Sequence, residues 1–382
     1  MHSFRSSQKY FMVAGLALMV YLGSAFINPV KKQPTSLKAA FEGDFLIGVA
    51  INGFQATGRD TLSGPVIKKE FNSLTPENSM KWERIHPEPG KYNFRFADRI
   101  VEMGLEYDDY LAGHVLVWHQ QTPDWVFHDS EGNLTTRDTL LMRMKEHIFT
   151  VVGRYKGKVN SWDVVNEAID DRGELRKSLW YQIIGEDYID KAFIYAREAD
   201  PGATLIYNDY SLANPAKRDG VVRMVRELQS RGIPIDGIGL QAHYGLTSPS
   251  IQDIEASILA FSEVGMRVMF TELDVTVLPD PSSRGGADIS RRVEYQSRLN
   301  PYTEGLPDSV QVALADRYRD LFTLFKAQHE HIDRVTFWGV HDGLSWKNFH
   351  PVRGRTNYPL LFDREAKPKL AYDAVLQVAQ SN

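Results

Sequence analysis

Two short stretches of this chain carry residue types suited to bond-breaking chemistry, WDVVNEA at 162–168 and TELDV at 271–275. Each reads as an apolar, strand-like run that ends in a glutamate, Glu167 in the first and Glu272 in the second. Two carboxyl groups delivered on separate strand ends are what cleavage of a glycosidic bond requires. One protonates the departing oxygen and the other attacks or stabilises the sugar cation. A lone glutamate in such a run would be read as half of a structural ion pair, and the pairing is what carries the catalytic reading. Asp274 follows Glu272 by two residues and so projects to the same side of the strand. His243 ends the preceding strand-like run. A Glu272–His243–Asp274 cluster would orient Glu272 and keep it ionised. Glu167 has no basic neighbour in sequence, which suits a proton donor whose protonation the negative charge of Glu272 would favour.

Elements must position these groups, and the chain supplies a regular alternation. Strand-like runs occupy Phe45–Asn52, Ser73–Asn78, Tyr110–Trp118, Val159–Glu167, Ala203–Asp209, Asp236–His243, Arg267–Val275 and Arg334–Val340. Helical spacing lies between them: Ile189, Ala192, Phe193 and Ala196 fall at i, i+3, i+4 and i+7, as apolar residues on one helix face do. Val221, Val222, Val225 and Leu228 repeat the pattern, as do Ala315, Tyr318, Phe322 and Phe325. Eight strand–helix alternations predict a single-domain α/β fold, the parallel (β/α)8 barrel. A doubly wound open sheet is the rival, but no glycine-rich phosphate loop follows the first run. A barrel demands that functional residues cluster at the C-terminal strand ends. Polar residues sit there in seven of the eight runs, among them Glu77-Asn78, Asn208-Asp209-Tyr210 and Gln241-Ala242-His243.

The 382 residues are 43% hydrophobic, enough for a large core. Acids number 49 against 44 bases, scattered to a net charge of −5, with no basic stripe to neutralise phosphates, so a nucleic-acid partner is not expected. There is no cysteine, which excludes disulfides and thiolate metal sites. No cofactor or metal is implied by the spacing of histidines and acids. Residues 1–40 differ from the rest: Arg5 and Lys9 precede an uncharged run from Tyr10 to Ile27, with Gly23-Ser24-Ala25 as small residues for cleavage. The 17 residues from Phe11 to Ile27 exceed the usual core of an export signal and reach the lower edge for a membrane span. The expectation is an exported protein, 1–40 being signal or signal-anchor plus spacer and 41–382 one catalytic domain. Membrane association follows only if that segment is retained, and a monomer is expected.

NSLTPENSMKWE at 72–83, GHVLVWH at 113–119 and the 162–168 stretch resemble glycoside hydrolase family 10, the endo-β-1,4-xylanases. YNDY at 207–210, GLQAH at 239–243 and the 271–275 stretch do so as well. The resemblance runs from about residue 41 to 380. It implies a (β/α)8 barrel that cleaves xylan or xylo-oligosaccharides with net retention, Glu167 as acid/base and Glu272 as nucleophile. It further implies that Glu77, Asn78 and Lys81, with Gln121, hold the sugar two units to the non-reducing side. His114, Asn166 and Gln241 would surround the sugar being cleaved, with Asn166 toward its 2-hydroxyl. Trp118 and Trp338 would wall that site, Trp346 would cover it, and Tyr210 would be a stacking platform on the leaving-group side. His243 serves both as contact and, with Asp274, as orienter of the nucleophile.

Several residues carry plainer readings. Lys81 alone could be a surface charge, His119 reads as a buried histidine, and Trp82, Trp125, Trp162 and Trp180 read as core. Ser211 stands where the family often carries Asn, and the stretch between Val277 and Pro307 is longer than a routine connection. It could reshape one flank of the cleft or be surface. A retaining barrel hydrolase acting on cellulose, mixed-linkage glucan or β-1,3-xylan is one alternative. A glycan-binding barrel without activity is another, but such a protein should have lost a carboxylate.

Overall fold

The structure, a computed structural model, describes residues 35–280, 288–290 and 292–381. The expected export or anchor segment lies outside the described residues, as does part of the long stretch after Val277. Among the described residues no helix is long and apolar enough to cross a membrane.

Eight parallel strands close into a barrel: β1 Leu46–Ile51, β2 Ser73–Pro76, β3 Tyr110–Trp118, β4 Ser161–Asn166, β5 Thr204–Asp209, β6 Gly237–Leu240, β7 Arg267–Thr276 and β8 Ile332–Phe337. Neighbours in sequence pair throughout, as in Gly48 with Ser73 and Ile206 with Gly237. Closure comes from Leu46 of β1 opposite Arg334 of β8. The outer ring is α1 Ser63–Glu70, α2 Arg95–Tyr107, α3 Arg137–Arg154, α4 Tyr188–Ala199, α5 Pro215–Ser230, α6 Ile251–Glu263, α7 Asp308–Ala327 and α8 Leu370–Gln380. The helix faces expected from spacing are the ones that pack: Ile189, Ala192, Phe193 and Ala196 of α4 are buried, as are Tyr318, Phe322 and Phe325 of α7. Helix starts follow capping chemistry. Asn214 accepts from the Ala216 N–H with Pro215 behind it, and Thr136 accepts from Thr139. A short helix at Leu37–Ala40 also joins the core through Leu37, just ahead of the expected domain start.

Most strand boundaries differ from the sequence expectation by one to three residues, and those of β4, β6, β7 and β8 have local reasons. β4 begins at Ser161, because Asn160 is spent joining neighbours: its N–H donates to Leu111 and its carbonyl accepts from Thr204. β8 runs Ile332–Phe337 and stops short of Val340, at a turn where Gly339 has φ 132°. β6 is shorter than predicted, since Ala242 takes φ 62° and breaks the run; His243–Gly245 then pairs again, with Asp274–Thr276. That extra pairing prolongs β7 to Thr276. Glu272 therefore lies inside its strand rather than at its end.

One glycine is fixed by close approach. A Cβ on Gly113 of β3 would lie 2.2 Å from the ring of Trp162 on the neighbouring β4, which is fully buried. Trp162 and Trp180 are core as expected, and Trp82 is 2% exposed, whereas Trp125 is half-buried with its indole N–H donated to the Pro87 carbonyl.

Candidate active site

The C-terminal ends of the strands enclose a cavity of about 200 Å3. Glu77 and Asn78 follow β2, with Lys81 just beyond; His114 and Trp118 come from β3, and Gln121 from the turn after it. Asn166 and Glu167 end β4, Gln241 and His243 flank the break after β6, Glu272 comes from β7, and Trp338 and Trp346 follow β8. Every contact residue expected from sequence lines this space except Tyr210.

Glu167 sits one residue past β4 with φ 58°, the left-handed region, which costs a non-glycine residue on the order of 1–3 kcal/mol. Its main chain is held there. The Glu167 N–H donates to the Asn208 carbonyl at 2.9 Å, and Arg176 Nε donates to the Glu167 carbonyl at 2.9 Å. The kink turns the carboxyl into the cavity, where Trp118 Nε1 (2.9 Å) and Gln241 Nε2 (2.9 Å) donate to its two oxygens. Burial pushes its pKa up to about 7, with the Asp209 carboxylate adding to the rise and those two donors opposing it. The chief negative neighbour is thus Asp209, not Glu272 as sequence order suggested.

Glu272 is just as buried, and burial alone would raise its pKa. The hydrogen bond from His243 and the positive charges around it win instead, holding it below the ordinary glutamate range. His243 Nε2 lies 3.2 Å from Glu272 Oε2, its Nδ1 lies 2.9 Å from Asp274 Oδ2, and Trp346 Nε1 donates to the same Asp274 oxygen at 2.7 Å. Asn208 Nδ2 donates to Glu272 Oε1 at 2.9 Å and lies 3.0 Å from the Asn166 amide. Two carboxyls at one cavity, one pushed up and one held down, can be protonated and ionised respectively at the same pH.

The rest of the lining is donor-rich. Lys81 Nζ donates to Asn78 Oδ1 at 3.0 Å and stands 5.3 Å from the Trp118 ring centre. His114 is fixed by Asp163 at 2.8 Å and packs edge-on to Trp338. Gln121 is tied to Glu83 at 2.9 Å. Among the described residues no cluster of three or more His, Asp or Glu is arranged to hold a metal ion.

Tyr210 is placed differently. It is 4% exposed, its hydroxyl accepts from Arg176 at 3.0 Å, and Lys217 Nζ lies 3.5 Å from its ring centre. Sequence reasoning assigned no role to Asn208, Asp209, Lys217 or Arg176. Asp209 and Lys217 are both fully buried and paired at 2.8 Å, a combination invisible until α5 is packed against β5. Asn208 stood in the YNDY stretch, so its type and strand-end position could have flagged it. The stretch after Val277 contributes on two sides: Ile289 lines the cavity and Asp288 accepts from Gln120 at 2.8 Å, while Leu278 and Tyr302 line a larger groove beside His243.

This geometry is matched by likeness to known proteins. The profile described as glycosyl hydrolase family 10 covers residues 36–378. The chain belongs to glycosyl hydrolase family 10. Among its family 10 relatives is "Endo-1,4-beta-xylanase A" of Xylanibacter ruminicola, 47% identical over 348 residues, 91% of this chain and 94% of that one. "Endo-1,4-beta-xylanase" of Geobacillus stearothermophilus is 43% identical, covering 90% and 98%. A solved GH10 endoxylanase from a sugarcane soil metagenome superimposes with TM-score 0.87 at 43% identity, over 90% of this chain and 99% of that one.

Proposed function

We propose that this family 10 glycoside hydrolase is an endo-1,4-β-xylanase that cleaves internal bonds of xylan by double displacement with net retention. The observation that carries the reading is the opposed protonation of Glu167 and Glu272 in one cavity. The relatives' names supply the substrate class. In the first step a Glu272 carboxylate oxygen attacks the anomeric carbon as the bond to the leaving oxygen breaks, and the Glu167 proton goes to that oxygen. In the second, water loses a proton to the Glu167 carboxylate and attacks the same carbon, releasing Glu272. Asn166, Gln241, His114 and the Trp338 and Trp346 rings hold the sugar under attack; Glu77, Asn78, Lys81 and Gln121 hold its neighbour on the non-reducing side. The N-terminal segment's charged start and uncharged run support export from the cytoplasm.

Side-by-side assay of xylan and carboxymethylcellulose, with products resolved by size, tests this. Early release of mixed xylo-oligosaccharides from xylan alone is expected. Release of glucose oligomers instead, or of xylose only, would overturn it.

The protonation states also fix a pH dependence. Activity falls as pH rises through the pKa of Glu167, about 7, because the proton donor is lost. It falls again in acid as Glu272, below its ordinary range, takes up a proton. Asp209→Asn removes the carboxylate that raises Glu167, so the alkaline limb of kcat/KM shifts to lower pH. Whether Lys217 then keeps its proton or sheds it, the negative charge beside Glu167 is less, and the sign holds. An alkaline limb that stays in place or moves up would exclude Asp209 from this role. The Asp209→Asn/Lys217→Met pair, which leaves no unpaired buried charge, guards against misfolding.

A further inference from the structure

His243 stands between two buried carboxylates, Glu272 and Asp274, and one imidazolium can balance only one of them. Asp274 is fully buried. Its Oδ2 faces His243 and accepts from Trp346 Nε1, while its Oδ1 has no hydrogen-bond partner among the described residues. A buried carboxylate oxygen left so is costly unless a cation stands near it. Lys347 Nζ lies 3.7 Å from that Oδ1, within ion-pair distance though too far for a hydrogen bond. Lys347 is 8% exposed, and its Nζ lies 4.4 Å from the Trp346 ring centre.

The lysine is held from both sides. It sits in the turn Trp346–Asn348 after β8, where Ser345 Oγ accepts from its N–H at 3.2 Å. Beside it Asn348 donates to the Asp342 carbonyl and accepts from the Asn357 N–H, both at 2.9 Å. Lys347 lines the larger groove beside His243 and is absent from the lining of the cavity itself. Burial would raise the pKa of Asp274, but the charges of His243 and Lys347 hold it below the usual range. Burial likewise opposes a charge on His243, and the Asp274 carboxylate outweighs it; Lys347 repels that charge more weakly. Lys81, His114 and Glu77 bear on Glu272. Tyr318 of α7 and His350, both kept neutral by burial, neighbour Asp274 and Lys347, and Arg292 and Arg355 bear on His350. From Lys347 through Asp274 and His243 to Glu272 the charges alternate and sum to zero. Without Lys347 the row carries one net negative charge.

We propose that Lys347 is a positioning residue for the nucleophile, the outermost member of a buried row of alternating charge that holds Asp274 ionised, His243 protonated and Glu272 ready to attack. The inference rests on Glu272 as the nucleophile of a xylanase, and the test separates the two. The readout is the pH profile of kcat/KM for p-nitrophenyl β-xylobioside with the full chain, since an aryl group brings no leaving-side sugar for Lys347 to touch. Lys347→Met leaves the row with an excess negative charge, so it takes up a proton more readily. Whether that proton lands on Glu272 or on Asp274, His243 loses one of the charges that hold it between them. The acid limb should therefore move to higher pH by about one unit, with the alkaline limb, set by Glu167, in place. Lys347→Gln, which offers Asp274 Oδ1 a donor without the charge, should move it equally, and Lys347→Arg should return it to the wild-type position. An acid limb unmoved in Lys347→Met or Lys347→Gln overturns the inference, as does one that Lys347→Arg fails to restore. A uniform fall at every pH with both limbs in place assigns Lys347 a structural role alone and overturns it too. Should Lys347→Met not fold, Lys347→Gln decides. No release of nitrophenol by the wild type rejects the xylanase reading itself, and the inference with it.

Discussion

Glu272→Ala will lower xylan hydrolysis by at least about 10^4-fold, and added azide will restore part of the turnover on an activated aryl xylobioside. The size follows from the role. Without a nucleophile no glycosyl-enzyme forms, and the loss is a large share of an acceleration that in enzymes spans roughly 10^6–10^17-fold. The azide effect follows from the place. Truncation opens a space the size of a carboxylate, lined by the donors Asn208 Nδ2 and His243 Nε2, which bond Glu272 at 2.9 and 3.2 Å. A small anion held there attacks from the face Glu272 used, so the product is the α-glycosyl azide, inverted relative to the β-linked substrate. NMR of the anomeric proton identifies it. A variant that keeps activity without azide, or a β-azide product, would take the nucleophile's role from Glu272.

Glu167→Ala should split substrates by leaving group. Loss of a general acid costs about 10²–10⁴-fold where the departing oxygen needs a proton, as in xylan. A dinitrophenyl glycoside leaves unaided, so its first step should slow little. Its second step still needs a base to activate water, so the glycosyl-enzyme should accumulate and appear as a burst of dinitrophenol. Azide, which needs no base, should clear that intermediate as the β-glycosyl azide. Equal losses on xylan and on the activated substrate, with no burst, would show that Glu167 is not the acid/base.

The alternation of eight runs and the helix faces between them were legible because each is a local pattern of burial, and local patterns survive in sequence. The strand ends were legible in composition, since a barrel mouth is the one place where polar residues terminate apolar runs. What escaped was set by partners distant in the chain. The break at Ala242 and the end of β7 at Thr276 depend on each other, because His243–Gly245 and Asp274–Thr276 form one pairing. Neither segment alone announces it. Asp209 reads as one more strand-end acid until Lys217 of α5 is packed against it at 2.8 Å, both side chains fully buried. That same packing sets the Lys217 ammonium over the Tyr210 ring, a contact that sequence order does not announce. The order of charges around Glu167 is likewise a fact of three dimensions.

The two glutamates differ in how they are mounted. Glu272 sits within β7, at the register shift between Phe270 and Leu273 in its pairing with β8, whereas Glu167 stands beyond β4 on a left-handed bend pinned at its N–H and carbonyl. A nucleophile has one target, the anomeric carbon, and gains from an unyielding seat. An acid/base has two errands, first to the departing oxygen and then to the incoming water, which do not occupy the same point. On the proposed reading the barrel thus mounts the group that makes a covalent bond within a strand, and the group that passes a proton on a bend just beyond one.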